Sequence, residues 1–388
     1  MKRYYYIICM LTMLIADTII AQSPAEWSVQ FNIAATLPPA AGKQMALGFA
    51  GAVSGVHQNH LLVAGGANFP EALPWKGGKK IYYAGVYLYK QEKGELKLVQ
   101  QGITLPESIA YAAVCTTSDG IVYMGGENEK GISNKVWMLK WNQYKQELAC
   151  IAYPPLPIAL TNAAATYINN RIFLAGGETN EAASAQFFEL DLNNLSAGWK
   201  ILPAIPHAVS HTVLVGLTTE TKPVLYLIGG RKKNTNGISS LYHQVYEYDL
   251  HKKIWKEKAP LPYALSAGTG VWYNLDQLMV FGGDQGTVFS QVEKMLAAIA
   301  IETNPEKKQV LINQKNQLQE THPGFSNEVL LYHANSNKWQ VISTIPFATP
   351  VTTNIVKWND AIYIPSGEIK AGVRSPHILK ATILLKNQ

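Results

Sequence analysis

A short apolar run that ends in two glycines recurs along the whole chain, and this repeat constrains the fold more than any other feature. Five intact copies end at residues 65–66, 125–126, 176–177, 229–230 and 282–283, and a sixth copy ends at Ser366-Gly367. The copies begin roughly 50 to 60 residues apart, except that the last interval is about 30 residues longer, and periods of this length belong to repeat architectures. Six copies therefore predict six structural units.

Each unit repeats the same internal order. In the third copy, Pro157 precedes a segment of small residues (161–167), and the apolar run (171–175) with its glycines follows. A third segment (186–190) is again apolar, and Trp199 begins a fourth segment. Small residues suit strands crowded round an axis, and glycines end a strand where backbones approach closely. Four strands in a period near 50 are typical of kelch-type blades. The chain is therefore predicted to be all-β, a six-bladed kelch-type β-propeller. Tryptophans that match Trp199 in the other units are Trp141, Trp255 and Trp339.

The two ends of the sequence predict a secretory signal and a closure. Lys2 and Arg3 precede an apolar stretch, and a small residue, Ala21, offers a cleavage site, so residues 1–21 are interpreted as a signal peptide. The stretch is shorter than the roughly 20 apolar residues of a spanning helix. We therefore expect a periplasmic or secreted protein with no membrane anchor after cleavage.

Residues 22–388 are predicted to form one propeller. After Gly367 the sequence has room for one further strand (377–385), which leaves the last blade one strand short. An apolar segment at about residues 26–38 has the character of the missing fourth strand. We expect this N-terminal strand to join the C-terminal blade, because that pairing removes an exposed sheet edge and fixes both termini.

The long last interval predicts a helical insertion at residues 286–325, in the fifth blade. Five apolar residues follow helical spacing, Asn304-Pro305 interrupts the pattern, and residues 306–320 suit a second, more polar helix. The five are Val288, Val292, Met295, Leu296 and Ile299. Because the insertion directly follows a glycine pair, it should emerge at the rim of the propeller. A lid over a pocket and a surface decoration both remain open.

Composition excludes several classes of function. The formal net charge is +6, but the basic residues are scattered, which does not favour nucleic-acid binding. Cys115 and Cys150 are too few for a disulfide framework and are expected to be buried thiols. The nine histidines show no paired spacing of metal ligands, so no metal site is predicted.

The loops that follow the glycines should bring polar residues together near the axis at one face. They carry Asn68, Glu127, Glu178, Arg231, Asp284 and Glu368. The sixth loop also holds Lys370 and Arg374, so a carboxylate base stands beside an anion-binding guanidinium. A structural ion pair that braces a deviant blade is the alternative for Glu368 and Arg374. Tyr111 and Asn162 lie at the starts of inner strands. Two alternatives are open for them: they face the same pocket near the axis, or they only pack against their neighbours.

Three segments together resemble the N-acetylneuraminate epimerase (sialic acid mutarotase) family. They are residues 65–69, the Gly/Lys-rich stretch 76–80, and residues 366–374 with the pattern Gly-Glu-x-Lys-x-Gly-x-Arg. The blade order suggests a circularly permuted member. The resemblance implies an isomerase without a cofactor that acts on a sugar acid, with Glu368 as proton acceptor and Arg374 as its partner. Weaker substrate-binding candidates are Lys370, Asn68, Tyr111, Glu127 and Arg231.

Two other functions remain open at this point. A non-catalytic propeller that binds a glycan or a protein is compatible with the same fold, since one fold hosts many functions. A copper radical oxidase ranks last, because Cys115 and Cys150 lie in strand-like runs and not in axial loops. The sequence leaves the oligomeric state open.

Overall fold

The computed structural model describes residues 26–39, 43–218 and 222–386. In these ranges six four-stranded antiparallel sheets correspond to the six repeats, and two short hairpins accompany them. The predicted six-bladed propeller is confirmed. The predicted signal peptide lies outside the described residues. No helix within the described ranges combines the length and apolar character needed to cross a membrane.

The chain begins with β1 (Glu26–Thr36) and then builds the first three blades in order. The first holds β2 (Val53–His57), β3 (His60–Ala64), the hairpin strands β4 (Ala67–Asn68) and β5 (Ile81–Tyr82), β6 (Gly85–Glu92) and β7 (Glu95–Thr104). The second holds β8 (Ala113–Thr116), β9 (Ile121–Met124), the hairpin strands β10 (Glu127–Asn128) and β11 (Gly131–Ile132), β12 (Val136–Asn142) and β13 (Glu147–Tyr153). The third holds β14 (Ala164–Ile168), β15 (Arg171–Ala175), β16 (Phe187–Asp191) and β17 (Trp199–Ile201). Short 3-10 helices span Pro74–Lys76 and Leu195–Ala197.

The remaining blades follow the same pattern, with two helices in the fifth. The fourth holds β18 (Val213–Thr218), β19 (Pro223–Lys233), β20 (Ser239–Asp249) and β21 (Ile254–Lys258). The fifth holds β22 (Thr269–Trp272), β23 (Gln277–Phe281), α1 (Thr287–Ile301), α2 (Pro305–Glu320), β24 (Glu328–His333) and β25 (Lys338–Thr344). The sixth holds β26 (Val356–Trp358), β27 (Ala361–Lys370) and β28 (Val373–Lys386).

The N-terminal strand completes the sixth blade. β1 pairs antiparallel with β28, in register from Glu26 opposite Lys386 to Thr36 opposite His377, and the order from the outside inward is β1-β28-β27-β26. Val29 of β1 enters an apolar cluster with Phe281 of the fifth blade. The sixth sheet therefore joins the two ends of the described chain and shares a core with its neighbour.

The tryptophans divide into two kinds. Trp199, Trp255 and Trp339 lie in the outermost strands of their blades, and the indole of Trp199 donates to the Pro154 carbonyl of the preceding blade at 2.8 Å. Trp141 does not match them, because it lies in β12, the third strand of its blade, and is 1% exposed. The second blade therefore lacks the tryptophan of the outer strand.

The glycine pairs allow neighbouring blades to approach. The first glycine of each intact pair has φ between 56° and 69°. A Cβ on Gly125 would lie 2.2 Å from the Leu160 carbonyl oxygen of the next blade, which accepts a hydrogen bond from the Gly126 N–H at 2.8 Å. Only glycine fits this approach without moving the next blade.

One residue from each blade forms a closed ring of backbone hydrogen bonds around the axis. Each N–H donates to the carbonyl of its neighbour in the ring at 2.7 to 3.2 Å, and every member has φ between 52° and 65°. The members are Gly51, Tyr111, Asn162, His211, Ala267 and Thr352. On one side of this axial ring the inner strands surround a channel of about 460 Å³. The ring separates that channel from the loops that follow the glycines.

The insertion consists of two helices, as predicted. Asn304 caps α2 by accepting a hydrogen bond from the Lys307 N–H at 3.0 Å, and Pro305 occupies the first turn. Glu293 of α1 is buried, and its carboxylate accepts hydrogen bonds from the Ser239 N–H at 2.6 Å and the Ser239 hydroxyl at 2.9 Å. This contact fixes α1 to the fourth blade.

Candidate functional site

Six residues that follow the glycine pairs occupy equivalent places around the axial ring. Each forms an antiparallel bridge with the residue that precedes a ring member, as Glu368 does with Val351 and Asp284 with Ser266. The six are Ala67, Glu127, Glu178, Arg231, Asp284 and Glu368. Their loops therefore converge at one face of the propeller, as the repeat pattern predicts.

A cavity of about 200 Å³ lies at this face, between the loops of three blades and the insertion. The propeller contributes polar side chains, and the insertion contributes mainly apolar ones. The propeller residues include His211, Arg231, Asp284 and Glu368, and the insertion residues include Val288, Phe289, Val292, Gln319, His322 and Phe325. The insertion therefore forms a wall of the cavity, which favours a cover over a surface decoration.

Glu368 and Arg374 face each other across the β27–β28 hairpin. They are paired residues in its register, and the register shifts on both sides of Glu368. The Glu368 carboxylate oxygen Oε1 lies 3.4 Å from the Arg374 nitrogen Nη1 and accepts a hydrogen bond from the Gly372 N–H at 2.8 Å. The carboxylate and the guanidinium that the sequence places six positions apart are thus in contact.

Arg374 retains unused hydrogen-bonding capacity. Its side chain is 4% exposed, and the guanidinium carbon lies 4.9 Å from the centre of the Phe69 ring. Within the described ranges, the buried nitrogens Nε and Nη1 have no hydrogen-bond partner, so the contact with Glu368 is an ion pair without hydrogen-bond geometry. Buried charged donors normally find partners, and a guanidinium matches a carboxylate ligand well. The arrangement is suited to an anionic group.

Asp284 and two histidines line the cavity beside Glu368, and sequence reasoning did not select them as site residues. Burial is the main cause that raises the pKa of the Asp284 carboxyl group. Burial, followed by the charge of Arg231, holds the pKa of His211 well below its usual value. Burial also lowers the pKa of His322. The Gly324 N–H donates to Nδ1 of His322 at 3.0 Å, so the neutral ring carries its proton on Nε2.

The sequence held different signals for these residues. Asp284 belongs to the polar loops after the glycines, and His211 holds the place in its blade that Tyr111 and Asn162 hold in theirs. His322 follows α2 and lies far from any motif. Only the folded insertion brings it to the cavity.

The other predicted residues divide between the cavity and its surroundings. Arg231 lines the cavity, where its guanidinium carbon lies 4.6 Å from the Phe289 ring centre. Lys370 ends β27 on the hairpin that carries Glu368. Tyr111 belongs to the axial ring and lines the channel.

Asn68 and Glu127 point to internal partners outside this cavity. Asn68 is buried, donates to the Gly48 carbonyl at 2.9 Å and accepts from the Tyr83 hydroxyl at 2.9 Å. Glu127 accepts from the Tyr82 hydroxyl at 2.7 Å and from the Lys80 ammonium at 3.2 Å. The structure therefore brings Glu368 and Arg231 to one cavity, sets Arg374 against Glu368, and places Asn68, Glu127 and Tyr111 elsewhere.

A second cover reaches the site from the first blade. Gly372, at the tip of the β27–β28 hairpin, packs so closely on the loop after β4 that a Cβ would lie 2.9 Å from Pro74 and 3.3 Å from the Trp75 ring. Lys76 of the same loop lies 2.6 Å from Glu320 at the end of α2. The loop and the insertion thus meet next to the hairpin that carries Glu368.

The ligand set gives no indication of a metal centre. Among the described residues, no group of three or more His, Cys, Asp or Glu side chains is arranged to hold a metal ion. Cys115 is buried and Cys150 is partly buried, and both are free thiols. The cavity is lined by two carboxylates, two imidazoles and one guanidinium group, and a second guanidinium, that of Arg374, contacts Glu368.

Comparison with known proteins identifies related sequences. The family model described as N-acetylneuraminate epimerase matches residues 153–388. The N-acetylneuraminate epimerase of Salmonella typhimurium strain LT2 is 28% identical over 231 residues, which cover 59% of this chain and 58% of the relative. The Haemophilus influenzae protein of the same name is 26% identical over 224 residues, 58% of this chain and 57% of the relative. The alignments thus span somewhat more than half the length of these relatives.

Proposed function

The chain belongs to the N-acetylneuraminate epimerase family, and from this premise we propose that it interconverts the α and β anomers of N-acetylneuraminate, with Glu368 as the base. Glu368 and Arg374 lie in the matched region; Glu368 lines the cavity, and Arg374 contacts Glu368. The observation that carries the proposal is the buried Arg374 guanidinium, which has two unpaired nitrogens beside a carboxylate base. A base next to an anion-binding group suits a substrate whose carboxylate adjoins the reacting carbon.

The chemistry follows from the structure of the sugar. N-acetylneuraminate is a cyclic hemiketal with a carboxylate on the anomeric carbon. Glu368 removes the proton of the anomeric hydroxyl while the bond to the ring oxygen breaks and that oxygen gains a proton. The open ketone rotates about the bond to its chain, and closure on the other face gives the opposite anomer. Arg374 holds the sugar carboxylate through paired hydrogen bonds, so the reacting carbon stays next to Glu368.

We also propose that the protein is a circularly permuted member of the family, secreted or periplasmic after removal of residues 1–21. A permutation shifts where the chain starts within the same ring of blades. An alignment that follows chain order then covers only part of each protein, in line with the 59% and 58% coverage. The pocket is unaffected when β1 completes the sixth blade.

The test follows anomer exchange directly. Freshly released α-N-acetylneuraminate is monitored by proton NMR with and without the protein, and we expect the protein to accelerate its conversion to the β anomer. Glu368→Gln should reduce the acceleration by about 10²- to 10⁴-fold, the usual contribution of a positioned base. Glu257→Gln is the matched control, because Glu257 is exposed on the outermost strand of the fourth blade.

Two results would contradict the proposal. Folded wild-type protein, verified by circular dichroism, that leaves exchange at its spontaneous rate excludes the isomerase. Saturable binding of the sugar without acceleration would instead support the non-catalytic glycan-binding propeller.

A further inference from the structure

We infer that Asp284 is the proton donor to the ring oxygen, the acid that works together with Glu368 as the base. This inference rests on the proposed function and extends it, because ring opening needs a donor as well as an acceptor. Asp284 and Glu368 both line the cavity. They occupy equivalent places in neighbouring blades, since each directly follows a glycine pair or its sixth copy.

Asp284 is held in a defined position by backbone contacts. Its N–H and carbonyl exchange hydrogen bonds with Ser266 at 2.7 and 2.9 Å. Its carboxylate oxygen Oδ1 accepts a hydrogen bond from the Gly286 N–H at 2.7 Å. The second oxygen, Oδ2, accepts no hydrogen bond from the described part of the chain and is free to carry and transfer a proton.

The surroundings of the two carboxylates differ in the way that an acid and a base require. Both line the cavity with the apolar side chains of Val288 and Phe289, but Glu368 forms an ion pair with Arg374, whereas Asp284 forms no ion pair within the described ranges. Burial raises the pKa of Asp284, which favours the protonated form. Unlike environments for two carboxylates in one site are the usual way to assign an acid and a base.

The charged and titratable groups around Asp284 act on its pKa in opposite directions. Burial raises its pKa and the Glu368 charge raises it further, while the Gly286 hydrogen bond and the neighbouring His322 and Arg231 side chains lower it. His211 also lines the cavity and favours its neutral form at neutral pH. The net result of burial and these neighbours is a raised pKa.

The proton balance closes over one cycle. Asp284 gives its proton to the ring oxygen as the bond from that oxygen to the anomeric carbon breaks, and Glu368 takes the proton of the anomeric hydroxyl. After rotation, the Asp284 carboxylate removes the proton from the hydroxyl that attacks the ketone, and Glu368 returns its proton to the carbonyl oxygen. Both side chains recover their starting states, so no external acid or base is consumed.

The test replaces Asp284 by asparagine, which retains an acceptor for the Gly286 N–H but cannot transfer a proton. We expect Asp284→Asn to slow anomer exchange by about 10²-fold or more with little change in KM. The wild-type rate should fall as the pH rises through the raised pKa of Asp284, and this alkaline limb should be absent from the residual activity of the variant. Asp360→Asn is the control, because Asp360 is exposed in the turn between β26 and β27.

A second readout does not depend on activity. A carboxyl group whose pKa is raised by folding stabilises the protein fully below its unfolded pKa and loses this contribution as the pH rises through its folded pKa. Asparagine has no such penalty. The urea midpoint of Asp284→Asn should therefore rise relative to that of the wild type as the pH increases, while Asp360→Asn follows the wild type.

The outcomes separate the two ideas. If the wild type accelerates exchange, Glu368→Gln does not, and Asp284→Asn keeps the full rate and the alkaline limb, then Asp284 is not the donor and the proposed function stands. A wild type without acceleration overturns the proposed function and this inference together. Loss of activity in Asp284→Asn without the pH-dependent gain in stability also overturns the inference, because it shows that folding does not raise the pKa of Asp284.

Discussion

Ser366 offers the most informative single substitution, because it stands where every other repeat has glycine. Its φ of 59° lies within the 56° to 69° range of the first glycines, and the residue is completely buried. Its hydroxyl donates to the Ser375 carbonyl at 2.6 Å, lies 2.9 Å from the Phe49 carbonyl, and accepts from the Phe49 N–H at 2.7 Å. A side chain thus makes the contact between the sixth and first blades.

The structure allows the cost of its removal to be worked out. Ser366→Ala leaves the buried Phe49 N–H without its partner, which costs about 1 to 3 kcal/mol, and loses one donated hydrogen bond worth about 1 kcal/mol. We therefore expect a loss of roughly 2 to 4 kcal/mol in the free energy of unfolding. Ser366→Gly loses the same hydrogen bonds but escapes the penalty of about 1 to 2 kcal/mol that a Cβ carries at this φ. Glycine also loses more backbone conformational entropy on folding than alanine does, which offsets this gain by about 0.5 to 1 kcal/mol.

The glycine variant should consequently be the more stable of the two, by about 0.5 to 1 kcal/mol, a reversal of the order found in regular strands. Urea unfolding followed by tryptophan fluorescence measures both midpoints, with Ser118→Ala at an exposed position as the control. An alanine variant more stable than the glycine variant would refute the argument about φ. Two variants within about 0.5 kcal/mol of the wild type, the range of ordinary surface substitutions, would refute the role of the hydroxyl.

Two further predictions concern the insertion and the cysteines. Glu293→Ala should raise amide hydrogen exchange throughout α1 and slow anomer exchange, because it removes both hydrogen bonds to Ser239. The control Glu306→Ala, at an exposed position, should do neither. Unchanged amide hydrogen exchange in α1 of the Glu293 variant would contradict the anchoring role. Burial raises the pKa of the Cys115 thiol to about 12, so a thiol reagent at pH 8 should label Cys150 well before Cys115 in the folded protein. Mass spectrometry of the labelled peptides measures both rates, and equal rates would contradict the burial of Cys115.

The fold was largely predictable from the sequence because its main signal is a period. Each intact glycine pair marks a place where the next blade leaves no room for a Cβ, so the repeat reports a backbone constraint that five of the six blades share. The tryptophans report side-chain packing, which tolerates exchange between strands. For that reason Trp141, which fills the core from the third strand, was wrongly grouped with Trp199.

The site was only partly predictable. Glu368 and Arg374 are close in the sequence and lie on one hairpin, so their contact follows from local order. Asp284 and His322 reach the same cavity from a different blade and from the end of a two-helix insertion, and no local pattern reports that distance. Asn68 looked available in the sequence, yet the Tyr83 hydroxyl and the Gly48 carbonyl occupy its side chain.

Equivalent positions on the propeller acquire different chemistry because the cover is uneven. Glu127, Asp284 and Glu368 follow their glycines in the same way, and each is bridged to the residue that precedes a member of the axial ring. Glu127 lies away from the insertion, and its carboxylate accepts hydrogen bonds from Tyr82 and Lys80. Asp284 and Glu368 lie beneath the insertion, which leaves the fifth blade after the glycine pair and places apolar side chains over its own sector. An unsymmetrical cover on a symmetrical ring therefore selects which two of the carboxylates share a cavity, and this is the physical reason to seek both the acid and the base there.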